Sequence, residues 1–323
     1  MATQHITEEE IEDVMSLEEV KQCLGVDGDC AEYDERFIMS AGKRKLGLLD
    51  YHRLPAWLQD NNYILTRYRP QLNSFKLCFR SIFSLHTETG NIWTHLIGWL
   101  GFCCFVAYAY ALPLHHLTWY DHGMFAVFLL GAFFCLLFSW VFHCLQCHSP
   151  KVFRICINFD YCGVAMLIMS SIIAWIYYAF YCKRTLRIVY TSIMVLFGVL
   201  CIAVSLIKKF SSSAYRPVRS VVFLGLGTYG IVPMIHAMVV YGGLVESSGF
   251  NSAATGPMLV IGFVYVLGLT LYAFRIPERF WPGKFDIWCH SHQIFHVCVV
   301  IGVFLQSSDI LHMANAHAHK TCS

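Results

Sequence analysis

The chain reads as an all-α membrane protein: a bundle of seven transmembrane helices, amino terminus cytoplasmic and carboxyl terminus extracellular, with a short surface helix before the first span. Three observations predict this. Of its residues, 57% are hydrophobic and only 14% charged, and the mean hydropathy is +0.53, well beyond an ordinary soluble domain. The apolar residues fall in seven blocks, each near the roughly 20 residues needed to cross a bilayer. Lys and Arg gather in alternate connections between those blocks. With a formal net charge of +2, no nucleic-acid partner is expected.

Residues 1–50 read as a cytoplasmic tail, partly disordered. Its opening, Thr7-Glu-Glu-Glu10-Ile-Glu-Asp13, lacks the basic-then-apolar order of a secretory signal, so no cleavage is expected there. Met1-Ala-Thr offers no myristoylation acceptor and the final Thr-Cys-Ser is no prenylation box, which leaves the spans as the anchor. Ile11, Val14, Met15 and Leu17 recur at helical spacing and predict a short amphipathic helix. Residues 51–90 mix aromatics with Arg67, Arg69, Lys76 and Arg80, as expected of a segment lying along the membrane surface. A membrane domain over 91–306 follows, with spans expected near 92–112, 122–146, 157–181, 187–207, 218–240, 257–274 and 287–306. Residues 307–323 read as a short extracellular tail.

The connections after spans two, four and six carry Lys151 and Arg154; Lys208, Lys209, Arg216 and Arg219; and Arg275, Arg279 and Lys284. Those after spans one, three and five carry only Lys183, Arg184 and Arg187. Basic residues near span ends stay on the cytoplasmic side, which puts the amino terminus inside. A G-protein-coupled receptor conflicts with these loop charges. The absence of lysine between Asp286 and Gln306 excludes a retinal pump.

That orientation sets the depth of the polar residues inside the spans. His143 precedes Lys151 by eight residues, roughly 12 Å at 1.5 Å per residue. Asp160 follows Lys151 by nine residues. His292 follows Lys284 by eight, with His296 one turn deeper on the same helical face. All four fall in the cytoplasmic half. A histidine inside a bilayer is costly and faces a partner or an aqueous cavity. Three neutral imidazoles at one depth match a catalytic zinc site, which keeps a fourth position for water. Asp160 is expected to hold that water and act as general base. Ser139, one turn before His143, is expected to donate to a substrate carbonyl or to orient the ring.

Other polar residues carry plainer expectations. His95 and His236 read as helix-to-helix hydrogen bonds. His290 lies off the face of the histidine pair and is not expected to be a ligand. His312, His317 and His319 in the outer tail would bind metal only adventitiously. Most of the fifteen cysteines lie in apolar runs as small hydrophobes. Cys144 and Cys147 have metal-pair spacing but lack a second cysteine pair, and are read as structural. Cys182 and Cys322 share the outer side and could be oxidised together. Gly225, Gly227 and Gly230 are expected to bring span five close to a neighbour, and Pro233 to kink it.

Several blocks together resemble the progestin and adipoQ receptor family, and within it the adiponectin receptors. They are Leu54-Pro-Ala-Trp-Leu-Gln-Asp-Asn61, His86-Thr-Glu-Thr-Gly-Asn-Ile-Trp-Thr-His95, Phe138-Ser-Trp, Phe159-Asp-Tyr, Arg275-Ile-Pro-Glu-Arg-Phe280, Pro282-Gly-Lys-Phe-Asp-Ile-Trp288 and Ser291-His-Gln-Ile-Phe-His296. The resemblance covers roughly residues 50 to 306. It implies seven helices with a cytosolic amino terminus, and a zinc ion held by the Ser-x-x-x-His histidine, His143, and the His-x-x-x-His pair, His292 and His296. It also implies that Asp160 holds the zinc water. The family resembles the alkaline ceramidases in this constellation, which implies ceramide as substrate and a free fatty acid as product. The first forty and last fifteen residues look unlike the family's vertebrate receptors. Cys289-His290 stands where those receptors have Phe-Gln.

Two functions are therefore expected to compete. One is a zinc-dependent membrane receptor with amide-hydrolase (ceramidase) chemistry, regulating lipid, fatty-acid and glucose metabolism. The other is a signalling receptor whose zinc is purely structural, tying spans two, three and seven together. An adiponectin-like extracellular ligand, a cytoplasmic adaptor protein, a homo-oligomer and residence in the plasma membrane complete the expectations.

Overall fold

The computed structural model describes residues 39–40, 43–44, 47–112, 117–207, 213–240 and 249–317. The acidic opening, the helix expected around Ile11 to Leu17, the loop with Lys208 and Lys209, and the tail with His319, Lys320 and Cys322 lie outside the described residues.

The fold is an all-α bundle. Its β content among the described residues is one antiparallel pair, β1 (Met39–Ser40) with β2 (Lys43–Arg44), and a bridge between Leu49 and Tyr68. A short helix, α1 (Phe75–Ser81), precedes the spans as expected, capped by the Ser74 hydroxyl, which accepts from the Leu77 amide. The spans are α2 (Thr89–Ala111), α3 (Trp119–Leu145), α4 (Pro150–Ala179), α5 (Arg184–Ser205), α6 (Arg216–Thr228) joined to α7 (Ile231–Val240), α8 (Gly249–Phe274) and α9 (Ser291–His317). Among the described residues seven membrane-length apolar segments result, matching the blocks in the sequence.

Local chemistry sets the starts. Thr118 and Asp121 cap α3 reciprocally, each side chain bonding the other's backbone N–H. Ser149 caps α4, and Pro150 fills its first position, where a missing N–H costs nothing. The fifth span breaks at Tyr229 and Gly230, because Pro233 cannot donate to the Tyr229 carbonyl and the Val232 amide takes it at 3.1 Å in a tighter turn.

Three expectations change. The seventh span begins at Ser291 rather than 287, since Cys289 sits at φ 63° and the backbone there is left-handed rather than helical. It also continues past 306 to His317, so the first part of the expected outer tail is helical. Gly225 and Gly227 face open space rather than a neighbour, and only Gly230 meets α4, at Ile172.

The spans close into a ring. α3 packs along α4, α8 along α9, and α2 sits between α3 and α9. α4 is the most enclosed, with 72% of its most apolar stretch buried, so the core lies along it. Within lipid, helix contact depends on close packing rather than on a hydrophobic gain. Gly131 and Gly163 supply it between α3 and α4: a Cβ on Gly163 would stand 2.9 Å from the Cys135 Cα. Ile97, Val199 and Phe263 point outward, as a lipid-facing surface requires.

Candidate metal centre

Two segments that are remote in sequence bring three histidines together. His143 lies in the last turn of α3, and His292 and His296 in the first two turns of α9. Their three rings form a near-equilateral triangle, with centroids 4.9, 4.7 and 4.8 Å apart. One ring nitrogen from each lies within 4.8 Å of the others.

Hydrogen bonds decide which nitrogens face inward. Nδ1 of His143 donates to Glu88 Oε2 at 2.7 Å, and Nδ1 of His296 donates to the Asn91 carbonyl at 3.2 Å. Each ring therefore keeps its lone pair on Nε2. Nε2 of His143 is buried and has no protein partner. An orphaned, inward-facing imidazole nitrogen beside two more is what a divalent transition metal requires.

The supports come from outside the spans. Arg69, expected on the membrane surface, is buried at 3% exposure and ties down the end of α3. Its guanidinium donates to the His143 and Cys144 carbonyls and to the Ser81 hydroxyl. Those carbonyls lack intrahelical partners, and a cation there also complements the helix dipole. The start of α9 is held by Glu278, whose carboxylate accepts from the Ser291 amide at 2.8 Å, the Ser291 hydroxyl and Asn61 Nδ2 at 3.0 Å. Asp286 accepts from the Leu65 and Thr66 amides and from the Thr66 hydroxyl. Residues 61–66 and the loop before α9 thus form one clamp.

Asp160 stands beside the triangle rather than in it. Its carboxylate has Ser139 and His143 as neighbours, and it lines the adjoining cavity. Ser139, 3% exposed, is thus buried beside Asp160. Glu88 is the participant that sequence reasoning missed. The available signal was an acidic residue at the cap of α2, inside the block His86 to His95. Burial alone would raise its pKa, yet the hydrogen bonds from His143 and Asn91 hold it well below the usual carboxylate range.

His95 corrects an expectation: neither of its ring nitrogens has a hydrogen-bond partner, and the ring stacks on His296 at 3.8 Å. His236 does bond across helices, to the Tyr190 hydroxyl at 2.6 Å. His290 is outside the triangle and bonds the Thr87 carbonyl at 3.1 Å. The Cys147 thiol contacts that of Cys78 at 3.8 Å. Cys182 is disulfide-bonded.

A cavity of about 740 Å³ adjoins the triangle, a size suited to a small-molecule ligand. It runs from Trp57 past His143, Asp160 and His292 to Gln306. Arg216, 3% exposed, lines it, paired with Asp60 at 2.9 Å and lying 4.1 Å over the Tyr272 ring. Its Nε and Nη1 have no partner.

Residues 83–307 match the haemolysin-III-related family. The chain is similar to an adiponectin receptor protein of Drosophila melanogaster, 43% identical over 88% of this chain and 64% of that protein. It is similar to progestin and adipoQ receptor-like protein 1 of Caenorhabditis elegans, 46% identical over 85% of this chain and 63% of that protein. Heptahelical transmembrane protein 4 of Arabidopsis thaliana is 33% identical over 81% of this chain and 87% of its own length. The chain thus spans a little under two thirds of the length of the first two.

Proposed function

The chain belongs to the haemolysin-III-related family and is a receptor-like multi-pass membrane protein, and from that premise we propose that it is a zinc-dependent amide hydrolase acting on ceramide-type lipids. The observation that carries this reading is the inward-facing histidine triangle opening onto a cavity of about 740 Å³, room enough for an acyl chain. Three neutral imidazoles suit zinc, which when bound polarises a carbonyl and acidifies water. His143, His292 and His296 would hold it. Asp160, with Ser139 beside it, takes the proton of the attacking water and passes it to the leaving amine. Arg216 offers its two unpartnered donors to the carboxylate of the fatty-acid product.

The basic end of the bundle, with Lys151, Arg154 and Lys284, is the cytosolic end in this reading, and the plasma membrane is the site of residence. An adiponectin-like ligand would act from outside, and an adaptor or a second copy of the chain from inside or within the bilayer. The test is purified protein incubated with labelled ceramide. Fatty acid should appear, and both chelation and Asp160→Asn should abolish it; release that persists through both rejects the reaction.

One observation favours a second reading. The triangle ties α3 to α9, so the metal could serve stability alone, in a receptor that relays a signal without catalysis. X-ray absorption would then find a fourth protein ligand in place of exchangeable water.

A further inference from the structure

The cavity is polar at both ends. Beyond its apolar middle, Ser171 of α4, Tyr265 of α8 and Gln306 of α9 line the far end. Gln306 is 0% exposed and Ser171 4%, and the Ser171 hydroxyl, the Tyr265 hydroxyl and both Gln306 amide atoms lack any hydrogen-bond partner. Two of the groups are neighbours. The Tyr265 ring lies on Gly302, where a Cβ would meet its hydroxyl at 2.7 Å, and Gln306 follows Gly302 by one turn on the same face.

Helical rise gives the separation from the histidines. Gln306 lies roughly 15 Å beyond His296, and Ser171 roughly 16 Å beyond Asp160. Tyr265 lies roughly 10 Å before Tyr272, whose ring is 4.9 Å from that of His292. A plain alkyl chain reaching this depth would bury four hydrogen-bonding atoms against carbon, an arrangement that native interiors avoid.

We propose that Ser171, Tyr265 and Gln306 form a second recognition subsite, which takes an uncharged oxygen function, above all a hydroxyl, carried partway along the acyl chain of the bound lipid. This rests on the reading of the cavity as a lipid site. Each of the three groups both donates and accepts and none is charged, which matches a hydroxyl and excludes an ionised group. The charged side chains that line the cavity all lie toward the histidine end. A site built to bond a hydroxyl discriminates strongly against the analogue lacking it, because its own polar groups are then stranded.

The full chain in detergent would be titrated with octadecanoate and with octadecanoate hydroxylated in mid-chain, each displacing a fluorescent fatty acid. Wild-type protein should bind the hydroxylated chain about tenfold more tightly, the value of one net hydrogen bond. Gln306→Leu and Tyr265→Phe should each erase most of that preference while holding or improving affinity for the plain chain. Equal affinities in wild type, or a preference untouched by both substitutions, overturns the subsite and leaves the lipid cavity standing. If neither chain displaces the probe, the lipid cavity and the subsite fail together.

Discussion

Glu88 Oε2 lies 2.7 Å from Nδ1 of His143, joining the cap of the first span to the last turn of the second. The bond sets the tautomer that leaves Nε2 free. It links a residue from the juxtamembrane segment to the histidine triangle, so the segment before span one helps to shape the candidate site.

Replacing Glu88 by Gln should weaken metal binding about tenfold, and by Ala toward a hundredfold, the range seen when partners of metal-bound histidines are lost. Competition against a zinc-sensitive dye measures it. Unaltered affinity in both variants would remove Glu88 from the site.

His292→Ala should abolish stoichiometric metal, whereas His95→Phe should retain it, since His95 contacts the triangle only by stacking. Elemental analysis of the two purified variants beside wild type decides. Metal lost equally from both would mean that His95 is a ligand.

Glu278→Ala should destabilise the protein by about 2–4 kcal/mol, because a fully buried carboxylate then leaves the Asn61 side chain and the Ser291 amide unpaired. The drop should appear in thermal unfolding in detergent and be accompanied by weaker metal binding, since the start of α9 carries His292. A melting temperature within a degree of wild type contradicts the clamp.

His86 makes stability depend on pH. Its Nδ1 accepts from the Glu88 amide and its Nε2 donates to the Ser81 carbonyl, so only the neutral ring fits. Burial, followed by the charge of Arg69, lowers its pKa to about 3. A folded pKa below the unfolded value of about 6.5 contributes stability that is complete above pH 6.5 and is lost as pH falls toward 3. At pH 5 the loss is about 2 kcal/mol. Melting curves of wild type and His86→Gln from pH 7.5 to 5 should converge as pH falls, because the variant lacks this term; parallel curves would contradict it.

The histidine pair was legible because a spacing of four is a local property of any helix. The depth match of His143 and Asp160 was legible because loop charges and helical rise give a common ruler. Glu88 escaped because no local pattern says which acidic residue at a helix cap will meet a ring on the next helix. Arg69 was read as a surface cation for a similar reason: its burial follows from α1 and the end of α3 meeting around it, while its sequence neighbours are basic and aromatic.

By itself the sequence determined that the chain crosses the membrane seven times, with two histidines on one face of the last span. Bilayer thickness and helical period act within single segments and leave their mark in residue order. Only the tertiary structure decided that the last span starts at Ser291, that Glu88 holds His143, and that Ser171, Tyr265 and Gln306 share the far end of one cavity. Those outcomes depend on contacts between segments tens to hundreds of residues apart, where the geometry of packing, rather than any local preference, chooses the partner.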